Sequence, residues 1–260
     1  MASIAVMPPH TMLNKVPEVT LIFWIIKMMS TTVGETGADY LIFNLGYGLT
    51  VTSAIMGVLL AGALAWQMGL RRYLPEPYWL AVVLVSIFGT LVTDNLTDQF
   101  GVPLAVSTGA FSILLIAMFA IWHRTEGTLS IEAIDTPRRE AFYWAAILIT
   151  FALGTAAGDW VGEGLGLGYA PSAILFGALI AITAVARFVL KANPVTTFWI
   201  AYVLTRPLGA SCGDLLAQTT DHGGLGLGTT YTSIIFLLVI VGLVAYLRVV
   251  QPKDVAGPRP

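Results

Sequence analysis

Seven acids stand at regular places in a chain that otherwise avoids charge. They fall in four related motifs: STTVGETGAD (30–39), GTLVTDNLTD (89–98), GTAAGDWVGE (154–163) and GASCGDLLAQ (209–218). Each motif carries two polar positions four residues apart, namely Glu35 and Asp39, Asp94 and Asp98, Asp159 and Glu163, and Asp214 with Gln218. On a helix that spacing sets both side chains on one face, with Cβ atoms roughly 5–6 Å apart. Paired carboxylates of this kind offer hard oxygen ligands for Mg, Ca or Mn, or a relay for protons. Zinc or copper would be better served by His and Cys. His10, His123 and His222 are all expected in loops or termini, and Cys212 is the chain's one cysteine. His222, next to Asp221, reads as a solvated loop residue.

Two cations accompany the acids. Lys27 lies eight residues before Glu35 and Arg206 eight before Asp214, while Ser86 and Phe151 hold the matching places in the other two motifs. Seven motif acids against two cations leave a formal charge of −5, which suits a site for cations and not for anions. Lys27 and Arg206 then read as internal counter-ions, although a lysine there can also snorkel to a membrane surface. The glycines around the acids allow close helix approach. They also permit a broken helix whose freed carbonyls help to hold an ion.

The elements that must position these groups follow from composition. Of 260 residues 57% are hydrophobic and only 11% charged, the formal net charge is −2, and the mean hydropathy is +0.81. A soluble domain is nearer a quarter charged, and nucleic-acid binding needs a basic excess that is absent here. A single cysteine excludes an internal disulfide framework. Apolar stretches at about 19–42, 48–68, 78–95, 102–122, 142–160, 167–190, 196–216 and 229–250 each suffice for one membrane helix of roughly 20 residues. The expected fold is therefore all-α, a polytopic membrane protein of eight transmembrane helices with the motif-bearing helices turned inward. The apolar runs ahead of the first and third motifs, 19–29 and 143–153, are eleven residues each. That is about 16 Å of helix, too short to cross a hydrocarbon core of about 30 Å, so the motifs must complete their spans.

A unit of two spans recurs four times, at about 15–72, 73–124, 138–191 and 194–250 within a single membrane domain. Each copy opens near a tryptophan: Trp24, Trp79, Trp144 or Trp199. The second spans echo one another as LGYGLTVTSAI, FGVPLAVSTGA, LGLGYAPSAIL and LGLGTTYTSII. Two spans per unit give every copy the same orientation, so the repeats are parallel. In the last three copies the tryptophan precedes the first acid by fifteen residues, but in the first copy by eleven, about one helical turn less. The chain resembles a family of bacterial membrane proteins built from four tandem two-span repeats of unknown function, each with a characteristic tryptophan. The resemblance covers roughly residues 15–250 and implies the fold, but no chemistry.

Lys15, Arg71, Arg72, Arg124, Arg138, Arg139, Arg187, Lys191, Arg248, Lys253 and Arg259 fall on one side of an eight-span layout. The positive-inside rule makes that side, and both termini, cytoplasmic. No removable signal peptide is evident before residue 19, and a bacterial inner membrane is the expected location. GLGLGY and LGLGT read as helix starts and not as dinucleotide loops. No span contains a histidine for a serine protease, and Ala156-Ala157-Gly158-Asp159 lacks the Gly-x-Gly-Asp pattern of intramembrane aspartyl proteases. A manganese-exporter family uses a Glu-x-Gly-Asp motif, to which Glu35-Thr36-Gly37 is similar, although Asp39 falls one place too far. The expected function is transport of a cation, best a manganese-like divalent metal exchanged for protons. Glu35, Asp94, Asp159 and Asp214 would hold the ion, with Asp39, Asp98, Glu163 and Gln218 as an outer gate. No resident cofactor is expected; the partners are the bilayer, the small cation and further copies of the chain. A membrane enzyme using the same acids and a structural or partner-binding protein are the alternatives.

Overall fold

Helix starts are written locally in this chain. Thr20 accepts a hydrogen bond from the Phe23 amide, Thr136 from Arg139, and Asn193 from Val195 and Thr196. Pro75, Pro137 and Pro194 occupy the first helical position, where a missing N–H costs nothing. In the computed structural model, which describes residues 14–250, eight long helices result. They are α1 (Leu21–Asp39), α2 (Gly48–Gly69), α3 (Pro75–Asp94), α4 (Leu104–Glu126), α5 (Pro137–Asp159), α6 (Tyr169–Phe188), α7 (Pro194–Ala217) and α8 (Thr229–Val250). No strand occurs among the described residues. Both 1–13 and the last ten residues lie outside them, and with them His10, Lys253, Arg259 and most of the segment read for a signal peptide.

The odd helices pack α1 on α3, α3 on α5, α5 on α7 and α7 back on α1, closing an inner ring. Each even helix lies outside and packs chiefly on the next repeat: α2 on α3, α4 on α5, α6 on α7 and α8 on α1. The outer helices show apolar side chains such as Val58, Ile113, Ile174 and Leu238 outward, as lipid solvation requires. Six helices are long and apolar enough to cross a membrane, the exceptions being α1 and α7. Those two carry Lys27 and Arg206. Enclosed by neighbours, they do not need an apolar surface of their own. The molecule is an all-α polytopic membrane protein.

Aligning the repeats on their tryptophans brings out a cyclic packing rule. The glycine ten residues after each tryptophan (Gly34, Gly89, Gly154, Gly209) meets the residue seven after the tryptophan of the next repeat: Ser86, Phe151, Arg206 and, closing the circle, Thr31. The same cycle holds at the tryptophans themselves. Phe23 lies on Trp79 (5.5 Å between ring centroids), Tyr78 on Trp144 (5.6 Å), Tyr143 on Trp199 (6.3 Å) and Phe198 on Trp24 (5.7 Å). This aromatic ring fills one end of the inner bundle, and a Tyr78–Tyr143 hydroxyl pair 2.5 Å apart ties it together. Tyr78→Phe should therefore cost about 1–2 kcal/mol by orphaning the buried Tyr143 hydroxyl. A melting curve matching that of the native protein would contradict the bond.

Every described Lys or Arg outside the long helices lies at this aromatic end. Lys15, one of the positive residues that set the orientation, is buried, its Nζ 2.5 Å from Glu140 Oε2 and 2.9 Å from the Met68 carbonyl. At the opposite end Gly166, Gly168, Gly226 and Gly228 have positive φ and reverse the chain just ahead of Tyr169 and Thr229. The sequence LGLG is thus the turn before a helix and not its first residues.

Candidate functional site

Each inner helix delivers its motif to the end away from the tryptophans. Fifteen residues after each tryptophan stands an aspartate: Asp39, Asp94, Asp159 or Asp214. Directly after the first three of these the helix widens into one π turn, at Tyr40–Asn44, Asn95–Gln99 and Trp160–Gly164. This differs from the expected register. Motif alignment pairs Glu35 with Asp94, but the tryptophans and the π turns pair Asp39 with Asp94. Glu35 is an extra acid one turn nearer the tryptophans, where the other repeats have Thr90, Thr155 and Ala210. The motif glycines all lie within helix, Gly162 in the third π turn and the others in the α-helices, so the chain is not broken there.

All eight sequence-identified positions line one cavity of about 300 Å³: Glu35, Asp39, Asp94, Asp98, Asp159, Glu163, Asp214 and Gln218. Thr97 and the apolar Ile42, Phe43, Leu49 and Leu104 complete the lining. Carboxylate oxygens of Glu35, Asp159 and Asp214 lie within 4.8 Å of one another. One ion with oxygen ligands at roughly 2.0–2.6 Å can bridge such a trio. Glu163 accepts a hydrogen bond of 3.1 Å from the Tyr169 hydroxyl. Among the described residues no protein donor reaches the carboxylates of Asp39, Asp94, Asp98, Asp159 or Asp214, so their lone pairs remain free for a ligand. His222 lies outside the cavity, exposed and bonded to Thr219, Cys212 does not line it either, and His123, expected in a loop, belongs to the last turn of α4, where a cation meets the helix C-terminus.

The two cations part company. Arg206 reaches from α7 into the centre of the inner ring and bonds to each of the other three helices. Its guanidinium donates to Glu35 Oε2 at 2.9 Å and to the Thr31 carbonyl at 3.1 Å on α1. It also donates to the Thr155 hydroxyl at 2.7 Å on α5 and to the Thr90 hydroxyl on α3. Thr90 and Thr155 occupy in their repeats the place that Glu35 holds in the first, so one turn of three helices is built around one guanidinium. Lys27 makes no ion pair with any described acid. Its Nζ lies instead over the rings of Phe151 (4.2 Å) and Tyr202 (4.3 Å). It is fully buried, which excludes snorkelling. From α1 the side chain crosses the ring to α5 and α7, and spacing along one helix cannot foretell that reach. Glu140, the buried partner of Lys15, also escaped the sequence reading, because its acid stands alone beside two arginines.

Fold and site together define a polytopic membrane protein with a fourfold inner ring and an acid cavity at one end. The chain belongs to the family described as Repeat of Unknown Function (DUF347), whose repeat matches residues 22–73, 77–128, 142–193 and 197–252. Each matched segment covers one outer helix and all but the first few residues of one inner helix, and carries its tryptophan at the third position, the same register as the packing cycle. No curated protein and no solved structure matches the chain.

Proposed function

We propose that the chain transports a cation across the membrane, best a hard divalent metal of the manganese kind, in exchange for protons. The observation that carries this reading is the convergence of seven carboxylates on one cavity, five of them with no donor among the described residues. An ionised carboxylate within the hydrocarbon layer costs at least ~2.5 kcal/mol by insertion scales. A bound divalent cation offsets that cost for several carboxylates at once, and protons taken up on its release do the same. The donor set is all oxygen, which suits Mn, Mg or Ca better than Zn or Cu. Arg206 supplies an internal counter-charge: a cation drawn to Glu35, Asp159 and Asp214 competes with the guanidinium for Glu35. By the positive-inside rule the aromatic end faces the cytoplasm of a bacterial inner membrane and the acid cavity opens outside.

The test is thermal stability of the detergent-solubilised protein across divalent and monovalent cations, for the native chain and for Asp94→Asn with Asp159→Asn. An ion-selective rise of about 4 °C at ten times Kd is expected, absent from the double variant, with flux of the same ion into proteoliposomes. A native protein indifferent to every cation, and a double variant that melts unchanged, would sink the proposal. One observation favours a structural role for part of the cluster: the Arg206–Glu35 bond joins the fourth repeat to the first, where the ring closes. On that reading Glu35→Gln would leave ion-dependent stabilisation intact. An enzyme using these acids would lose turnover in the double variant with ion flux unaffected.

A further inference from the structure

Between the acid cavity and the aromatic ring the inner bundle holds a second feature that the transport reading does not use. Lys27 is fully buried, and its Nζ finds no hydrogen-bond acceptor among the described residues. Another cation shares one of its neighbours: the Arg206 guanidinium carbon lies 5.9 Å from the centroid of the Phe151 ring. A buried polar head without an acceptor is costly. What surrounds this one is a pair of aromatic faces, with Nζ 4.2 Å from the Phe151 centroid and 4.3 Å from that of Tyr202. Both lie well inside the ~6 Å range of cation–π attraction, and two faces around one ammonium are the arrangement by which proteins recognise organic ammonium groups.

We propose that Phe151 and Tyr202 form a second cation site, an aromatic cage selective for alkylammonium, and that Lys27 is its tethered occupant. The cage belongs to the fold's asymmetry. At the Lys27 position, three residues after the tryptophan, the other repeats have Val82, Ile147 and Tyr202. At the Phe151 position, seven after the tryptophan, they have Thr31, Ser86 and Arg206. Only the first, third and fourth repeats together supply an amine and two rings at adjoining levels. The site stands independently of what the acid cavity holds.

Lys27→Ala removes a propylammonium-sized group and leaves the rings in place. In the purified full chain at constant ionic strength, n-propylammonium should raise the melting temperature of Lys27→Ala by about 4 °C at ten times its Kd. It should bind at least tenfold tighter than 1-propanol, its neutral counterpart of equal size. The native chain and Lys27→Met, whose cage is filled, should not respond to either compound. If Lys27→Ala folds only when produced with propylammonium present, that rescue supports the cage; failure to fold with or without it overturns the cage. Equal stabilisation by propanol also overturns it, since that reports a plain cavity. Adding Phe151→Leu to Lys27→Ala should abolish the propylammonium response. Adding Asp94→Asn and Asp159→Asn should leave it unchanged, so that failure of the cage and failure of the acid site are read separately.

Discussion

Arg206→Met is expected to destabilise the protein by about 3–5 kcal/mol, the usual cost of removing one partner from a buried ion pair. The guanidinium is fully buried and donates from α7 to groups on the other three inner helices, whereas methionine fills similar volume and donates nothing. Glu35 is left as a buried charge without its partner, and the Thr31 carbonyl loses its side-chain donor. Glu35→Gln alone should cost less, because an amide oxygen still accepts from the guanidinium. Combining the two should cost less than the sum of the single changes, since the second removes the charge that the first strands. Denaturant or thermal melting in detergent measures all three variants. A melting temperature for Arg206→Met within about 2 °C of native would show that the central guanidinium does not hold the ring together. The same variant separates counter-ion from staple. If Arg206 competes with cargo for Glu35, cation affinity should rise in Arg206→Met even as stability falls; a purely structural arginine predicts a fall in both.

The ring and its repeats were legible in the chain because lipid imposes a coarse grammar. Spans must be about 20 apolar residues, and duplication copies their punctuation. The convergence of the acids was legible for the same reason: four equivalent helices in a ring bring equivalent positions together. Register was harder. Glu35 and Asp94 look alike within their motifs, yet Trp24 and Trp79 count them one turn apart, and the packing cycle through Gly34 and Gly89 follows the tryptophans. The misleading signal is chemical: an extra acid in the first repeat mimics the motif's first position. The partners of the two cations were not legible at all. Arg206 meets Glu35, and Lys27 meets Phe151 and Tyr202, across the centre of the ring. Such contacts depend on which helices face each other and not on spacing along any one of them. The buried Lys15–Glu140 pair was hidden likewise, since a lysine before the first span looks the same whether solvated or buried.

The inner-ring glycines carry the sharpest prediction about the fold, because it concerns a sign and not only a size. An alanine Cβ at Gly89 would sit 2.6 Å from Phe151 Cβ and 3.2 Å from the backbone nitrogen of Ala152. At Gly34, Gly154 and Gly209 it would collide with Ser86, Arg206 and Thr31 in turn. No rotamer change frees the Gly89 site, since the neighbours there are backbone and Cβ, so α3 and α5 must separate. Overpacking of this kind costs about 1–3 kcal/mol and occasionally more. At Gly34 and Gly209 the offending hydroxyl tip can rotate but the Cβ behind it cannot, and at Gly154 the Arg206 Cβ would stand 2.4 Å away, so all four changes should be costly. On the outer helices Gly62, Gly109 and Gly177 face open space, with nothing within 4 Å of an added Cβ. There the change removes backbone freedom and should be neutral or stabilising by up to about 1 kcal/mol. Seven alanine variants, melted side by side, should split by sign along the line between inner and outer helices. A uniform response would mean that these glycines are tolerated for lipid-phase helix flexibility in general. A split would mean that the approach distance of the four inner helices, and with it the width of the acid cavity, is set by the absence of four methyl groups.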